Sequence, residues 1–76
     1  MPTLRIQNLN QSDIWLEDHS VTFPCQETTD FTVEAGKEYV LQGKTPPFIN
    51  ILDQSEDIEA TTQRQGMKLK IIVNKK

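Results

Sequence analysis

Cysteine is almost missing from this chain of 76 residues, which contains one cysteine, Cys25, and one histidine, His19. A single cysteine cannot close an internal disulfide, and a structural zinc site needs more Cys/His ligands than the sequence holds. A catalytic thiol needs an imidazole within reach and a third group that orients it, and neither residue lies in a recognisable motif for that chemistry. We therefore expect no metal, no cofactor and no catalytic residues, and we predict that the protein is not an enzyme.

Long apolar runs are also missing. No segment approaches the roughly 20 apolar residues that span a bilayer. The first residues, Met-Pro-Thr-Leu-Arg-Ile-Gln, lack the apolar core of a signal peptide. We expect cytoplasmic synthesis without secretion, and no membrane partner. The protein could then stay in the cytoplasm or be incorporated into a virion assembled there.

Helical periodicity is missing as well, whereas short stretches of alternating apolar and polar residues recur between clusters of turn-forming residues. This pattern predicts a single all-β domain over residues 1–76, a small antiparallel β-sandwich or barrel of about seven to eight short strands. Segment 58–63 could form one helical turn, but its alternation and two threonines favour a strand, and segment 26–30 reads as a polar connection. The predicted strands cover residues 3–9, 14–17, 21–23, 31–34, 38–42, 48–52, 58–63 and 67–73.

The closing stretch has the clearest strand pattern. Apolar residues recur at every second position, and lysines fall between the first of them, so a pleated strand sends the two sets to opposite faces. The sequence leaves open whether this strand lies at an exposed sheet edge, and whether such an edge would invite strand addition or its lysines would guard against it. The row predicted to be buried is Met67, Leu69, Ile71 and Val73.

The strongest hairpin signal is Ala35-Gly36-Lys37, which lies between segments 31–34 and 38–42. Gly36 can adopt the positive φ that a tight loop requires. We therefore predict a hairpin here, with part of its inner face contributing to the core. Its core-facing residues would be Phe31, Val33, Tyr39 and Leu41.

Together with the segment from Asn8 to Trp15, this apolar-Glu-Ala-Gly-Lys hairpin resembles the opening of many immunoglobulin-like sandwiches. The resemblance covers under half of the chain and concerns the fold alone. It implies no activity.

The net charge of −3 hides an uneven distribution. Residues 1–63 carry all eleven acidic residues but only three basic ones, which gives −8, whereas residues 64–76 carry five basic residues. These opposite charges can pair between neighbouring strands of one molecule, or the two ends of a polar molecule can dock in a repeating array. Nucleic acid is not an expected partner, because binding it normally needs a wide basic surface with aromatic platforms.

Four carboxylates fall within a short segment before the closing stretch. Their spacing does not match a calcium-binding loop, and no glycine provides the sharp central turn of such a loop. We therefore predict an acidic surface patch rather than a metal site. The patch consists of Asp53, Glu56, Asp57 and Glu59.

A second set of apolar residues lies out of phase with the predicted core positions of their own strands. Either a second layer of the same chain covers them, or another protein does. The second reading gains support from Trp15, because aromatic anchors dominate the energetics of protein interfaces. Together with two outward-facing lysines, these residues form the predicted interface: Trp15, Val40, Ile49, Lys68, Lys70 and Ile72.

The leading functional hypothesis is a non-catalytic structural or interaction protein. A domain of this size without disulfide or metal has little stability in reserve and often gains some from a partner. We expect an accessory, decoration-type subunit of a larger symmetric assembly, such as a phage or virus capsid. Its partners would be copies of itself or the assembly, so we expect a homo-oligomer or a particle-bound protein.

Two alternatives belong to other functional classes. The acidic patch could occupy a basic groove of a host enzyme, which would make the protein a small acidic inhibitor. Trp15 and Tyr39 could instead stack against sugar rings in a carbohydrate-binding module. That second alternative requires both rings to be exposed on one face.

Overall fold

The computed structural model describes residues 2–76 and consists of eight β-strands joined by loops. Two antiparallel sheets pack face to face, which confirms the predicted all-β sandwich. The described residues contain no helix long and apolar enough to cross a membrane. The strands are β1 (Thr3–Asn8), β2 (Ile14–Leu16), β3 (Thr22–Phe23), β4 (Thr28–Thr32), β5 (Glu38–Gly43), β6 (Ile49–Gln54), β7 (Ile58–Gln65) and β8 (Lys68–Lys75).

The smaller sheet has three strands in the order β4-β1-β6, and the larger has five in the order β3-β2-β5-β8-β7. Only the β2–β3 and β7–β8 connections join strands of the same sheet, so every other connection crosses between the sheets. Strand β8 pairs with β5 on one side and with β7 on the other. The closing strand is therefore an interior strand and not a sheet edge.

The core lies between the sheets, where strand alternation directs apolar side chains inward. Three aromatic rings connect the two layers: Phe31 on β4 packs edge-on against Phe23, with ring centroids 5.5 Å apart, and against Tyr39, at 5.0 Å. Edge-to-face contacts of this kind stabilise aromatic pairs beyond the burial of their surface. The buried hydrophobic residues are Leu4, Ile6, Ile14, Leu16, Phe23, Phe31, Val33, Leu41, Ile58, Leu69, Ile71 and Val73.

The closing strand follows its predicted pattern except at its start. Leu69, Ile71 and Val73 are buried, as predicted. The prediction for Met67 is wrong, because its side chain is 58% exposed. Met67 belongs to the two-residue loop between β7 and β8, where Gly66 adopts a φ of 62°. The apolar alternation extends beyond the first residue of β8 into the preceding loop, so the sequence pattern alone does not show where the loop ends and the strand begins.

The predicted hairpin around Ala35-Gly36-Lys37 is also wrong. Strands β4 and β5 lie in different sheets, and the segment between them crosses the sandwich. Gly36 does adopt a positive φ of 84°, but its N–H donates to the carbonyl oxygen of Val73 on β8. Both arrangements direct the apolar side chains of the two strands inward, so alternation cannot distinguish a hairpin from an arch between two sheets.

Most strand boundaries differ from those predicted by one or two residues, and the start of β4 differs by three. Strand β4 begins at Thr28, within the segment 26–30 that was expected to be a polar connection. As an edge strand with one exposed face, β4 carries few apolar residues at its start, and its pairing with β1 defines it instead. Strand β7 forms as predicted and extends to Gln65.

A buried asparagine connects the two sheets at one end of the sandwich. Asn8 is the last residue of β1 and is fully buried. Its Nδ2 donates to the carbonyl oxygen of Phe23 on β3, at 2.9 Å, and to that of Ser12, at 3.1 Å. Its Oδ1 accepts a hydrogen bond from the backbone N–H of Asn10, at 2.8 Å. A polar side chain that is buried in this way must be hydrogen-bonded, and every polar atom of the Asn8 amide has a partner.

Asn10 extends this network to the loop before β6. Its Oδ1 accepts from the backbone N–H of Phe48, at 2.9 Å, and its Nδ2 donates to the carbonyl oxygen of Pro46, at 3.1 Å. The Gln26 amide, from the loop before β4, donates to the carbonyl oxygen of Asn10 at 2.8 Å. The two asparagines, which we call the asparagine pair, therefore hold together the loops at this end.

The asparagine pair yields a prediction about stability. Asn8→Ala should lower the free energy of unfolding by about 2 to 4 kcal/mol, because it leaves buried carbonyl and amide groups without partners. Asn50→Ala is the matched control, since Asn50 is an exposed asparagine on β6. Denaturant unfolding measures both changes. A loss at Asn8 no greater than that at Asn50 would contradict the structural role of the buried amide.

The corrected position of Met67 can be tested in the same way. Met67→Ala should change the free energy of unfolding by less than about 0.5 kcal/mol, because the side chain lies in an exposed loop. Ile71→Ala should cost about 2 to 5 kcal/mol, because it leaves a cavity in the core. Similar losses of unfolding free energy in the two variants would show that the Met67 side chain is buried, as the sequence pattern predicts.

Candidate functional site

Five of the six residues of the predicted interface lie on the outer face of the five-stranded sheet. The strand register places Trp15 beside Gln42 on β5, Val40 beside Lys70 on β8, and Ile72 beside Glu38 on β5. Each of them has at least one neighbour along its strand that is buried in the core, so strand alternation directs this set away from the core. We call this surface the Trp15 face, and it comprises Trp15, Val40, Lys68, Lys70 and Ile72.

Ile49 is not part of this face. It lies on β6 in the other sheet, opposite Asn8 of β1, and its side chain packs against the core. Strand β6 has apolar residues on both faces, and Leu52 has no partner where the register shifts between β1 and β6. The position of Ile49 in the predicted interface is therefore wrong, because the irregular strand gives no clear phase from sequence.

Trp15 is half-buried and is the largest apolar residue of the face. Its indole stacks on the imidazole of His19, with ring centroids 6.2 Å apart and an interplanar angle of 18°. The indole Nε1 is enclosed and donates to no acceptor within residues 2–76. Buried indole N–H groups usually have an acceptor, so the ring is held here by packing rather than by a hydrogen bond.

The turn after β2 holds His19 against the indole. His19 adopts a φ of 63°, and its backbone N–H donates to the carbonyl oxygen of Leu16 at 2.8 Å. Within this turn, the hydroxyl and the backbone N–H of Ser20 both donate to Oδ1 of Asp18. These hydrogen bonds favour the ionised carboxylate and hold the pKa of Asp18 below its ordinary value.

Two ion pairs cross the Trp15 face. Lys68 pairs with Glu17 at 2.5 Å, and Lys70 pairs with Glu38 at 3.3 Å. Two lysines of the basic closing strand therefore form ion pairs with acidic residues of the same molecule. Pairs this exposed contribute little to stability, typically under about 1 kcal/mol, so their main effect is to lower the net charge of the face.

A shallow depression adjoins the ion pairs where β2 and β5 meet. Its volume is about 180 Å³, which is enough for a side chain of a partner but small for an independent ligand. Its lining combines acidic side chains with apolar and aromatic ones. The residues that line it are Leu16, Glu17, Asp18, Glu38, Tyr39 and Val40.

The predicted acidic patch does not form one surface. Glu56 and Asp57 occupy the turn between β6 and β7, whereas Asp53 faces outward from the small sheet and Glu59 faces outward from the large one. The backbone N–H of Lys76 donates to the carbonyl oxygen of Asp57, which brings basic residues beside the turn. No group of His, Cys, Asp and Glu side chains within residues 2–76 is placed to hold a metal ion.

A carbohydrate platform made of Trp15 and Tyr39 does not form. Tyr39 pairs with Ile71 on the inner side of the large sheet, and its hydroxyl accepts a hydrogen bond from the backbone N–H of Glu34. Trp15 lies on the outer side of the same sheet. The two rings therefore lie on opposite faces, which removes the premise of a carbohydrate-binding module.

The residues considered for nucleophilic chemistry have other contacts. His19 stacks on Trp15, as described above. The Cys25 thiol is half-buried and lies 3.5 Å from the carbonyl oxygen of Asn10. Each of the two side chains is thus in a structural contact with a different part of the chain.

An exposed apolar pair on the small sheet was not identified from the sequence. Leu9 and Phe48 lie side by side, with the Leu9 N–H donating to the Phe48 carbonyl oxygen, and they are 47% and 58% exposed. The guanidinium of Arg64 lies 4.8 Å from the centre of the Phe48 ring and donates to the Pro47 carbonyl oxygen. Only the pairing of β1 with β6 brings these residues together, so no local pattern in the sequence indicates them.

No protein-family model matches this chain, and its comparison with curated proteins and with solved structures gave no match. The function is therefore inferred from the geometry of the molecule alone.

The turn beside Trp15 gives a prediction about pH. Ser20→Ala should raise the pKa of Asp18 towards its ordinary value, about 3.9, because the mutation removes the hydroxyl donor. A carboxylate with a lowered pKa stabilises the fold above its unfolded-state pKa, and this contribution disappears as the pH falls through the folded-state value. The stability difference between wild type and variant should therefore be present at neutral pH and vanish at a strongly acidic pH below the folded-state pKa of Asp18.

Two measurements check this pH dependence. An NMR titration of the carboxyl groups gives the pKa of Asp18 in each protein, and denaturant unfolding at both pH values gives the stability difference. Asp18→Asn is the control, since it removes the titrating group. An unchanged Asp18 pKa in Ser20→Ala would show that the hydroxyl does not stabilise the carboxylate.

Proposed function

We propose that this protein is a non-catalytic accessory subunit of a larger symmetric assembly, of the decoration type found on phage or virus particles, and that it binds through the Trp15 face. The observation that carries the proposal is the placement of Trp15, Val40 and Ile72 together on the outer face of the large sheet. The sandwich buries the inner face of each sheet, and no layer of the described chain lies over this outer face.

The composition of the face supports a protein as its partner. Tryptophan is enriched among the residues that dominate binding energy, and such anchors are most effective when surrounded by contacts that exclude water. Here the Lys68–Glu17 and Lys70–Glu38 ion pairs cross the face between the apolar residues. A partner that covers the face meets apolar side chains and charges that are already paired, which limits the cost of removing unpaired charges from water.

The enclosed indole N–H provides additional support. Trp15 Nε1 has no acceptor among residues 2–76, and an enclosed donor without an acceptor costs about 1 to 3 kcal/mol. An acceptor that a partner supplies to Nε1 would recover that free energy on binding. Binding through Trp15 is therefore favoured, because it can supply a hydrogen bond that the indole N–H lacks in the free protein.

An acidic inhibitor of a host enzyme has weaker support. Its carboxylates are exposed but divided between both faces of the sandwich, and the chain end with Lys75 and Lys76 lies beside the acidic turn. The two functions are separable, because neutralising Glu56 and Asp57 should abolish inhibition and leave binding by the Trp15 face unchanged.

The proposal predicts the behaviour of Trp15→Ala. The variant should keep the circular dichroism spectrum of the fold but lose binding to the assembly by at least about tenfold, because an interface anchor is truncated. Co-sedimentation of the tagged protein with particles from the cells that produce it measures this binding. Phe48→Ala is the matched control, since it removes an exposed aromatic ring from the other sheet.

Two results would contradict this function. The first is a wild-type protein that co-sediments with no particle at any salt concentration. This result would contradict the proposal that the protein is a subunit of a larger assembly. A Trp15→Ala variant that merely unfolds would show that the ring belongs to the structural core of the monomer. Val40→Lys then tests the same face without removing the indole, and it should abolish binding while the fold persists.

A further inference from the structure

The free edge of β7 is long and lacks the features that usually protect a sheet edge. Strand β7 is one of the two longest strands and ends the five-stranded sheet, with a regular register against β8 along its whole length. Exposed edges are normally shortened, bulged, or blocked by proline and lysine. The opposite edge, β3, has two residues and is followed by Pro24, and the edge strand β6 has an irregular register, whereas residues 60–63 of β7 are Ala-Thr-Thr-Gln.

Only part of this edge is open. In an antiparallel ladder, the backbone groups of alternate residues point towards the paired strand and away from it. The backbone N–H of Ile58 donates to Ser55, and that of Ala60 donates to the side-chain oxygen of Gln54, so the even-numbered residues of β7 point away from β8. The backbone N–H and C=O groups of Thr62 and Arg64 therefore also point away from β8. Residues 61–65 therefore form the open edge.

We propose that the open edge pairs with the open edge of a second copy of this chain, antiparallel and about a two-fold axis at Gln63. In this register, Thr62 exchanges backbone hydrogen bonds with Arg64 of the second copy, and the reverse pair is equivalent by symmetry. The two large sheets become one continuous sheet across the axis.

The side chains of β7 suit this self-pairing. Gln63 lies opposite Gln63 of the second copy, and Thr61 lies opposite Gln65 of the second copy, so the outer side of the junction contains only neutral side chains that can hydrogen-bond to one another. On the inner side, Thr62 lies opposite Arg64 of the second copy. No like charges face each other in this register, which favours a second copy as the occupant of the edge.

This inference does not rest on the Trp15 face, which lies on other strands. The edge pairing does have a geometric consequence for the Trp15 face. A two-fold axis perpendicular to a continuous sheet places the Trp15 faces of both copies on the same side of that sheet.

Charge variants at the axis test the pairing. Gln63→Lys should raise the dimer dissociation constant by about fivefold or more, because it places two lysines opposite each other, next to Lys70 on each chain. An equimolar mixture of Gln63→Lys and Gln63→Glu should recover the association, since a lysine then faces a glutamate. Sedimentation equilibrium at increasing protein concentration measures each constant.

Matched controls separate this edge from other surfaces. Gln42→Lys makes the same substitution on the outer face of β5, away from the edge, and should leave the dimer unchanged. Trp15→Ala should also dimerise normally, so a failure of the proposed function is distinguishable from a failure of the pairing. Thr62→Pro removes an N–H that points away from β8, and it should abolish the dimer while the fold is retained.

The proposal is overturned by either of two results. The first is a wild-type protein that stays monomeric at the highest concentrations reached in sedimentation. The second is a dimer whose dissociation constant is the same in wild type, in Gln63→Lys and in Thr62→Pro.

Discussion

The hydrogen bonds of the asparagine pair are the constraint on which the rest of this molecule depends. Apolar packing holds the two sheets together but is non-directional, so it does not by itself fix how one sheet sits over the other. The Asn8 amide does so, because it ends β1 in the small sheet and bonds the carbonyl oxygen of Phe23 in the large one. A fully satisfied buried network of this kind strengthens the specificity of a small core, since any shift between the layers would leave its polar atoms without partners.

The position of the Trp15 face depends on this hydrogen-bond network. Strand β2 begins directly after the loop that Asn8 and Asn10 organise, and the Asp13 carboxylate at its start accepts a hydrogen bond from the Cys25 backbone N–H. The strand is short, so its position depends on these anchors as much as on its pairing. The Trp15 face is thus supported from the opposite side of the sheet by groups that do not themselves reach that face.

Alternation made much of this structure predictable. It identified the strands and the buried row of β8, and it placed Trp15 and Lys70 on a common outer face because period two is a local property of an extended chain. It could not reveal the arch at Gly36 or the inward position of Ile49, since both depend on which strands pair. The core position of Asn8 does carry a signal, because it continues the row of Leu4 and Ile6, but its polarity suggested a turn.

The order of the small sheet has a consequence for how the chain folds. Its three strands are β4, β1 and β6, and no two of them are neighbours in sequence. Only the large sheet contains pairs that can form early as local hairpins, namely β2 with β3 and β7 with β8. A topology dominated by distant pairings folds slowly, because the loops must close before the contacts form. On the ribosome, β1 must therefore wait for β6 to emerge, and the exposed apolar row of β1 is vulnerable to aggregation during that interval.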